Sequence, residues 1–523
     1  MTDTFTQALA HLFTLQSLSY LTLGTGIGLL FGAIPGLGGT TALALLIPMT
    51  FGMQPDSAIV LVGGIMGGVP FGGSVSAILL NTPGIAPNAA TCFDGYPLAR
   101  KGKAGMAIGA AATASALGGL VGVGVMLAVI PIAKAIVLLF GPPEFFMLGV
   151  LGLSAIAVST GGKLIRGLIS GGFGLILAFV GFDEVGGGLR YTAGIEYLWD
   201  GVQLVPVLIG LFAIAEMIKL MTMGGQVATG ASASSLGNVM AGVKAVFKNI
   251  TTLLRGSAIG ASIGAVPGIG GTVASFLSYT FTRQISKEPE SFGQGNIQGV
   301  IASEAANNAT KGGSLIPTVA FGIPGSLGTA ILLGALLIQG LKPGPDMLTS
   351  ELHITFSMVW TIVTANIIAA GCLMLWSKQV AKVAFVPGHL IVPGVILFVF
   401  LGAWLGGAAL GDWISCLTFG IIGFIMKRGG WPRPPLVLAL ILGNIMENAF
   451  QISMGAYDGY SWLSRPIVLI VLALIILTIF LSARGITKNK ENQKDGEMDD
   501  PASKARQEGA EGGAKNPMIS LPF

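Results

Sequence analysis

The sequence predicts an all-α polytopic membrane protein, with about 12 transmembrane helices plus re-entrant hairpins in two inverted structural repeats. Three observations carry this expectation. Of 523 residues, 52% are hydrophobic and only 10% charged, with mean hydropathy +0.79, too few charges to clothe a soluble body of that size. Residues 467–483 hold no charge, and 386–410 hold only His389 as a possible one; a helix needs roughly 20 apolar residues to cross the hydrocarbon core. Third, "GAIPGLGG" at 32–39 returns as "GAVPGIGG" at 264–271.

Taken along the chain, hydropathy predicts spans over 17–50, 57–80, 105–138, 144–160, 164–182, 201–222, 254–283, 313–341, 354–376, 386–410, 412–426, 434–452 and 465–483. Some are too long for one straight helix and some too short, hence the expected hairpins. The repeat then divides the chain: 1–225 as the first transmembrane repeat, 226–250 as a loop, 251–485 as the second repeat. Residues 486–523, charged and glycine-rich without an apolar period, read as a disordered cytoplasmic tail.

The duplication runs beyond one octapeptide. Gly24, Ile27, Gly28, Gly32, Ala33 and Pro35 match Gly256, Ile259, Gly260, Gly264, Ala265 and Pro267. Further on, "GGSVSAILLNTPG" at 72–84 faces "GGSLIPTVAFGIPG" at 312–325. No Lys or Arg precedes the first block, whereas Lys244, Lys248 and Arg255 precede the second. The positive-inside rule then starts the two blocks on opposite sides of the membrane, which makes the repeats inverted.

Each PGxGG block breaks an apolar helix. Proline removes a backbone donor and obstructs the preceding turn. Carbonyls before the break lose their partners, and the amides after it become a new helix N-terminus. Such carbonyls can coordinate a cation, and such amides, at the positive end of the helix dipole, can hold a carboxylate. Pro35, Gly36, Pro267, Gly268, Gly84 and Gly325 are therefore the expected cation positions. Gly38, Gly39, Thr40, Gly270, Gly271 and Thr272 are the expected carboxylate contacts, with Ser74, Asn81, Thr82, Ser314 and Thr318 supplying hydroxyl and amide groups from the second block. Close-packing kinks are the alternative for the glycines, and bonding back to their own helix is the alternative for the hydroxyls.

Glu304, Asn307, Asn308 and Lys311 fall on one helix face. Lys311 can hold an anionic substrate or pair with Glu304 or Asn307. Asn444, Glu447, Asn448 and Gln451 form a second polar stripe, suited to a site or to another helix. Asp94-Gly95-Tyr96-Pro97 reads as an interfacial turn with a structural role.

Other function classes find little support. The net charge of +4 is too small for nucleic acid, and the basic residues sit in short inter-helix stretches. Three distant cysteines and three histidines make neither a disulfide framework nor a metal spacing. Neither PGxGG copy fits a dinucleotide fingerprint, and no phosphate loop occurs.

In combination the two PGxGG blocks, "GGSVSAILLNTPG", "DGYPLARKG" and "EAANNATKGGSLIP" resemble the large membrane subunit of the tripartite tricarboxylate transporters, over nearly all of 17–480. The resemblance implies a bacterial inner-membrane permease, multi-pass and without enzymatic activity. It implies a small four-helix membrane subunit and a periplasmic solute-binding protein as partners. It implies uptake of tricarboxylates or related small carboxylates by cation symport, with sodium as the coupling ion and no other cofactor. The rival classes are a non-coupled carboxylate channel and a membrane-embedded enzyme.

Overall fold

The computed structural model describes residues 2–158, 164–183, 186–223, 238–383, 386 and 388–480. The tail expected over 486–523 and the stretch 226–237 of the expected loop lie outside the described residues. The described chain is helical almost throughout, apart from a two-residue antiparallel pairing of Gly181–Phe182 with Leu189–Arg190.

The first part runs α1 (Thr2–Leu12), α2 (Leu15–Ala33), α3 (Gly38–Leu46), α4 (Pro55–Leu80), α5 (Ala89–Arg100), α6 (Ala104–Val137), α7 (Pro142–Val158) and α8 (Leu164–Ala178). Then come α9 (Leu204–Leu208), a π-helical turn (Ile209–Ile214) and α10 (Ala215–Met223). The later part runs α11 (Val239–Lys248), α12 (Ile250–Gly264), α13 (Gly270–Ile285), α14 (Ile297–Phe321) and α15 (Leu327–Ile338). It ends with α16 (Leu352–Val383), α17 (Gly388–Gly407), α18 (Leu410–Arg428), α19 (Pro434–Ala456) and α20 (Pro466–Phe480).

Six helical stretches among the described residues are long and apolar enough to cross a membrane: α4, α6, Leu204–Thr222, Leu352–Val380, α18 and α19. Their burial is unequal. The apolar window of α4 is wholly buried, so this helix lies at the centre. α18 turns Ile414, Ile421 and Ile425 outward, and α17 does the same with Leu397, Phe398 and Leu401. Large apolar side chains on the outside and small residues between helices are the inverse of a soluble fold, and the arrangement that lipid selects.

Glycine stripes set the packing of the central helices. A methyl on Gly32 of α2 would stand 2.1 Å from the Val69 carbonyl of α4, and one on Gly264 of α12 would stand 2.4 Å from the Thr310 carbonyl of α14. Bare backbone therefore meets bare backbone in both places. α6 packs along α14, while α16 packs along α4.

Several expectations need correction. The single spans read over 17–50 and 254–283 are each two helices parted by a break. The span read over 313–341 is the end of α14 and the whole of α15, parted by a break, and α14 itself begins at Ile297, because its polar residues lower the hydropathy although they are buried. Residues 94–97 are not a turn but the body of α5. The loop read over 226–250 holds α11, which packs on α6.

Asp94 itself is structural in the way its position implies. Its Oδ1 accepts the backbone N–H groups of Gly293, Gly295 and Asn296 at 2.7–2.9 Å, and its Oδ2 accepts the Tyr279 hydroxyl at 2.9 Å. It thus clamps α5 to the loop that starts α14. Burial holds this carboxyl above the usual carboxylate value, against the pull of those four donors.

Candidate functional site: a cavity between two broken helices

The breaks have matching geometry. Between α2 and α3, Gly36 and Gly38 take φ of +93° and +64°; between α12 and α13, Gly268 and Gly270 take +81° and +71°. Only glycine adopts this region without strain, which explains why the same positions carry it in both blocks. Neither Leu37 nor Ile269 caps the helix that follows with a side chain. Among the described residues, the first amides of α3 and α13 therefore have no intrahelical partner and no side-chain cap.

The Pro-Gly segments lock against these breaks. A methyl on Gly84 would lie 1.8 Å from the Gly32 carbonyl, and one on Gly325 would lie 2.7 Å from the Gly264 carbonyl. α4 and α14 end in the same manner, with Asn81 and Gly322 left-handed at φ of +52° and +68°.

These elements enclose a cavity of about 540 Å³, within the roughly 300–1,000 Å³ of small-molecule sites. Gly36, Gly38, Gly39 and Thr40 line it from the first break, and Gly268, Gly270, Gly271 and Thr272 from the second. Gly84 closes one side, and α14 contributes Lys311 and Ser314.

Other expected contacts lie elsewhere. Ser74 donates to the Pro70 carbonyl at 2.9 Å, Thr318 to the Ser314 carbonyl at 2.6 Å, and Thr82 to the Leu80 carbonyl at 3.2 Å. Asn81 is exposed and caps α4. Pro35, Pro267 and Gly325 support the breaks without lining the cavity. Conversely, Ser326, Thr310 and Asn307 line it. Asn307 was legible in the polar stripe of α14. Ser326 forms a capping box with Thr329 at the start of α15, but Ser-x-x-Thr is not the Ser-x-x-Glu pattern that marks one in a sequence.

The sequence family described as the tripartite tricarboxylate transporter TctA family matches residues 18–438. The chain belongs to the TctA family. It is also similar to two Agrobacterium vitis proteins. One is described as an uncharacterized 52.8 kDa protein in the TAR-I ttuC' 3'region, 32% identical over 90% of this chain and 94% of the relative. The other, an uncharacterized protein in the TAR-II ttuC' 3'region, is 30% identical over 45% of this chain and 98% of the relative. No solved structure matches. Membership and the long apolar helices make this TctA chain a multi-pass inner-membrane transport protein, of a transporter family rather than an enzyme family.

Charge around the TctA cavity favours an anion. Pro70 lacks the N–H that would meet the Met66 carbonyl one turn back in α4. Lys311 donates its ammonium to that carbonyl and, at 3.4 Å, to that of Gly67. Opposite, Glu216 of α10 lines the cavity but carries two cations of its own, Lys427 on its carboxylate and Arg433 at 3.4 Å. Arg433 also donates to the Leu211 carbonyl at 2.6 Å, within the π-helical turn. Among the described residues, no three His, Cys, Asp or Glu side chains gather as a metal site. A cation here would have carbonyl, amide and hydroxyl oxygens for ligands.

Proposed function

We propose that this chain is the permease of a secondary transporter that takes up tricarboxylates or related small carboxylates by symport with a cation, sodium foremost. One observation carries the reading: two helix N-termini, each preceded by left-handed glycines, line one cavity together with Lys311. The substrate carboxylates lie against the amides of Gly38–Thr40 and Gly270–Thr272, with Thr40, Thr272, Asn307 and Ser314 adding neutral donors and Lys311 a charge. Neutral groups attract a carboxylate without holding it too tightly to be released. The coupling cation takes backbone oxygens at the breaks, Gly36 and Gly268 being those that reach the cavity.

The chain is built as two inverted repeats. Element order supports this: α2, α3, α4 and α6 correspond to α12, α13, α14 and α16. Packing supports it too, since α1 lies on α16 as α11 lies on α6. On this reading α11 opens the second repeat, and the boundary moves ahead of Val239. Family membership supports a small four-helix membrane subunit and a periplasmic solute-binding protein as partners, the latter delivering the substrate.

The test is uptake into proteoliposomes holding the chain with both partners, under an imposed sodium gradient. Sodium-dependent accumulation of a tricarboxylate supports the reading. Equilibration without accumulation makes the chain a channel, and chemical conversion of the substrate makes it an enzyme.

A further inference from the structure

Behind the cavity, α14 and α16 both pack on α6, and each brings a buried amide to it. Asn308 of α14 and Asn366 of α16 are both fully buried, and neither amide has a partner for its oxygen or its nitrogen among the described residues. Asn366 fills the space that a side chain on Gly119 of α6 would take: a methyl there would stand 2.1 Å from its Nδ2. Asn308 reaches the same level. Ser115 of α6 donates to Glu304 of α14 at 2.8 Å, and Gly118 and Gly122 abut Ala305 and Ala309, so the two helices run side by side in the same direction. One turn on from Ser115 is Gly119, and one turn on from Glu304 is Asn308.

Buried amides without partners carry the desolvation cost of each unmet group with nothing to offset it. Both can turn a carbonyl oxygen inward without breaking any bond. Glu304, one turn away, is fully buried and is hydrogen-bonded by the neutral groups of Asn88, Thr91 and Ser115. Lys311, one turn the other way, reaches out to the Met66 carbonyl beside the cavity. A carboxylate arriving in the cavity adds negative charge to this interior. Hard oxygen donors beside added negative charge suit a small monovalent cation.

We infer that Asn308 and Asn366 bind one sodium ion at Gly119, and that this ion and the carboxylate in the cavity strengthen each other's binding. The inference rests on the proposed cation symport and adds a second cation place, apart from the one at the helix breaks. Coupling by shared charge is reciprocal: each ligand must tighten the other by the same factor.

The experiment follows thermal unfolding of the purified full chain in detergent, with sodium chloride replacing choline chloride at constant ionic strength, with and without citrate. Sodium is expected to raise the unfolding temperature saturably, and citrate to move the midpoint of that titration to several-fold lower sodium. Asn308→Leu and Asn366→Leu should abolish the sodium response, yet unfold in choline no earlier than the wild type, because each removes an unmet amide. Asn366→Asp, which keeps the oxygens and adds charge, should respond at lower sodium and guards against misfolding of the leucine variants. A wild type indifferent to sodium, or a response that survives in both leucine variants, overturns the site. Failure of the symport reading looks different. Uptake that ignores the sodium gradient, with a thermal response still lost in the leucine variants, leaves the site standing and removes the coupling. Sodium-driven uptake with an unaltered response in those variants removes only the site.

Discussion

Lys311 on α14 gives its ammonium to the Met66 carbonyl on α4, the acceptor that Pro70 leaves without a helical donor. One proline thus fixes a cation on another helix at the wall of the cavity. Removing that proline should release it. Pro70→Ala restores the N–H and should stabilise α4 by up to about 3 kcal/mol, the usual cost of an interior proline. The freed lysine should then bind carboxylate with altered affinity. Lys311→Met removes the charge and leaves the carbonyl bare, and should raise the uptake KM tenfold or more. Thermal unfolding and uptake kinetics of the pair separate the anchoring from the charge.

The helix N-termini should tolerate no branched side chain. A Cβ on Gly39 falls 2.8 Å from Val69 Cγ1, and one on Gly271 falls 3.2 Å from Asn307 Oδ1. Gly39→Val and Gly271→Val are expected to abolish uptake while the protein still inserts at wild-type levels. Membrane abundance by immunoblot beside vesicle uptake checks this. Normal uptake by both variants would remove the amides from the mechanism.

Gly84 and Gly124 offer a contrast between contact and propensity. Gly84→Ala drives a methyl to 1.8 Å from the Gly32 carbonyl and should unseat the first break, lowering both unfolding temperature and yield. No described residue lies within 4 Å of a methyl on Gly124 of α6, so Gly124→Ala should be neutral or gain up to about 1 kcal/mol of helix propensity. Unfolding temperatures of the two variants in one detergent decide the matter.

Asp94 should show a graded series. Asp94→Ala strands the three amides of Gly293, Gly295 and Asn296, at roughly 1–3 kcal/mol for each group left unmet. Asp94→Asn keeps one oxygen for them, and the Tyr279 hydroxyl can turn to accept from the new amide. The asparagine variant should therefore unfold between wild type and alanine. Equal loss in both would mean that charge, not hydrogen bonding, holds the loop.

Much of this was legible in the residues. Proline and glycine at fixed spacing named both breaks, because no other residues adopt those backbone angles cheaply. The hydroxyls were not so easily placed. Ser74 and Thr318 bond to their own helices, and sequence cannot weigh a carbonyl one turn back against a ligand across a cavity. Asn81 resembled a contact residue, but it stands where the other copy has Gly322, and both serve to turn the chain left-handed. Hydropathy started the helix of Lys311 too late, since it counts Glu304, Asn307 and Asn308 as polar without knowing that they are buried. α1 and α11 escaped notice because each is short and presents only one face to its partner.

The pairing of α4 with α16 and of α14 with α6 carries a consequence for how the chain becomes whole. Each central helix leans on one synthesised in the opposite portion of the polypeptide, like the fingers of clasped hands. A ribosome that has finished only the amino-terminal portion has released helices still waiting for their neighbours, and maturation must await the last third of translation. A gene cut ahead of Val239 should therefore yield two fragments that perish when made separately and survive when made together.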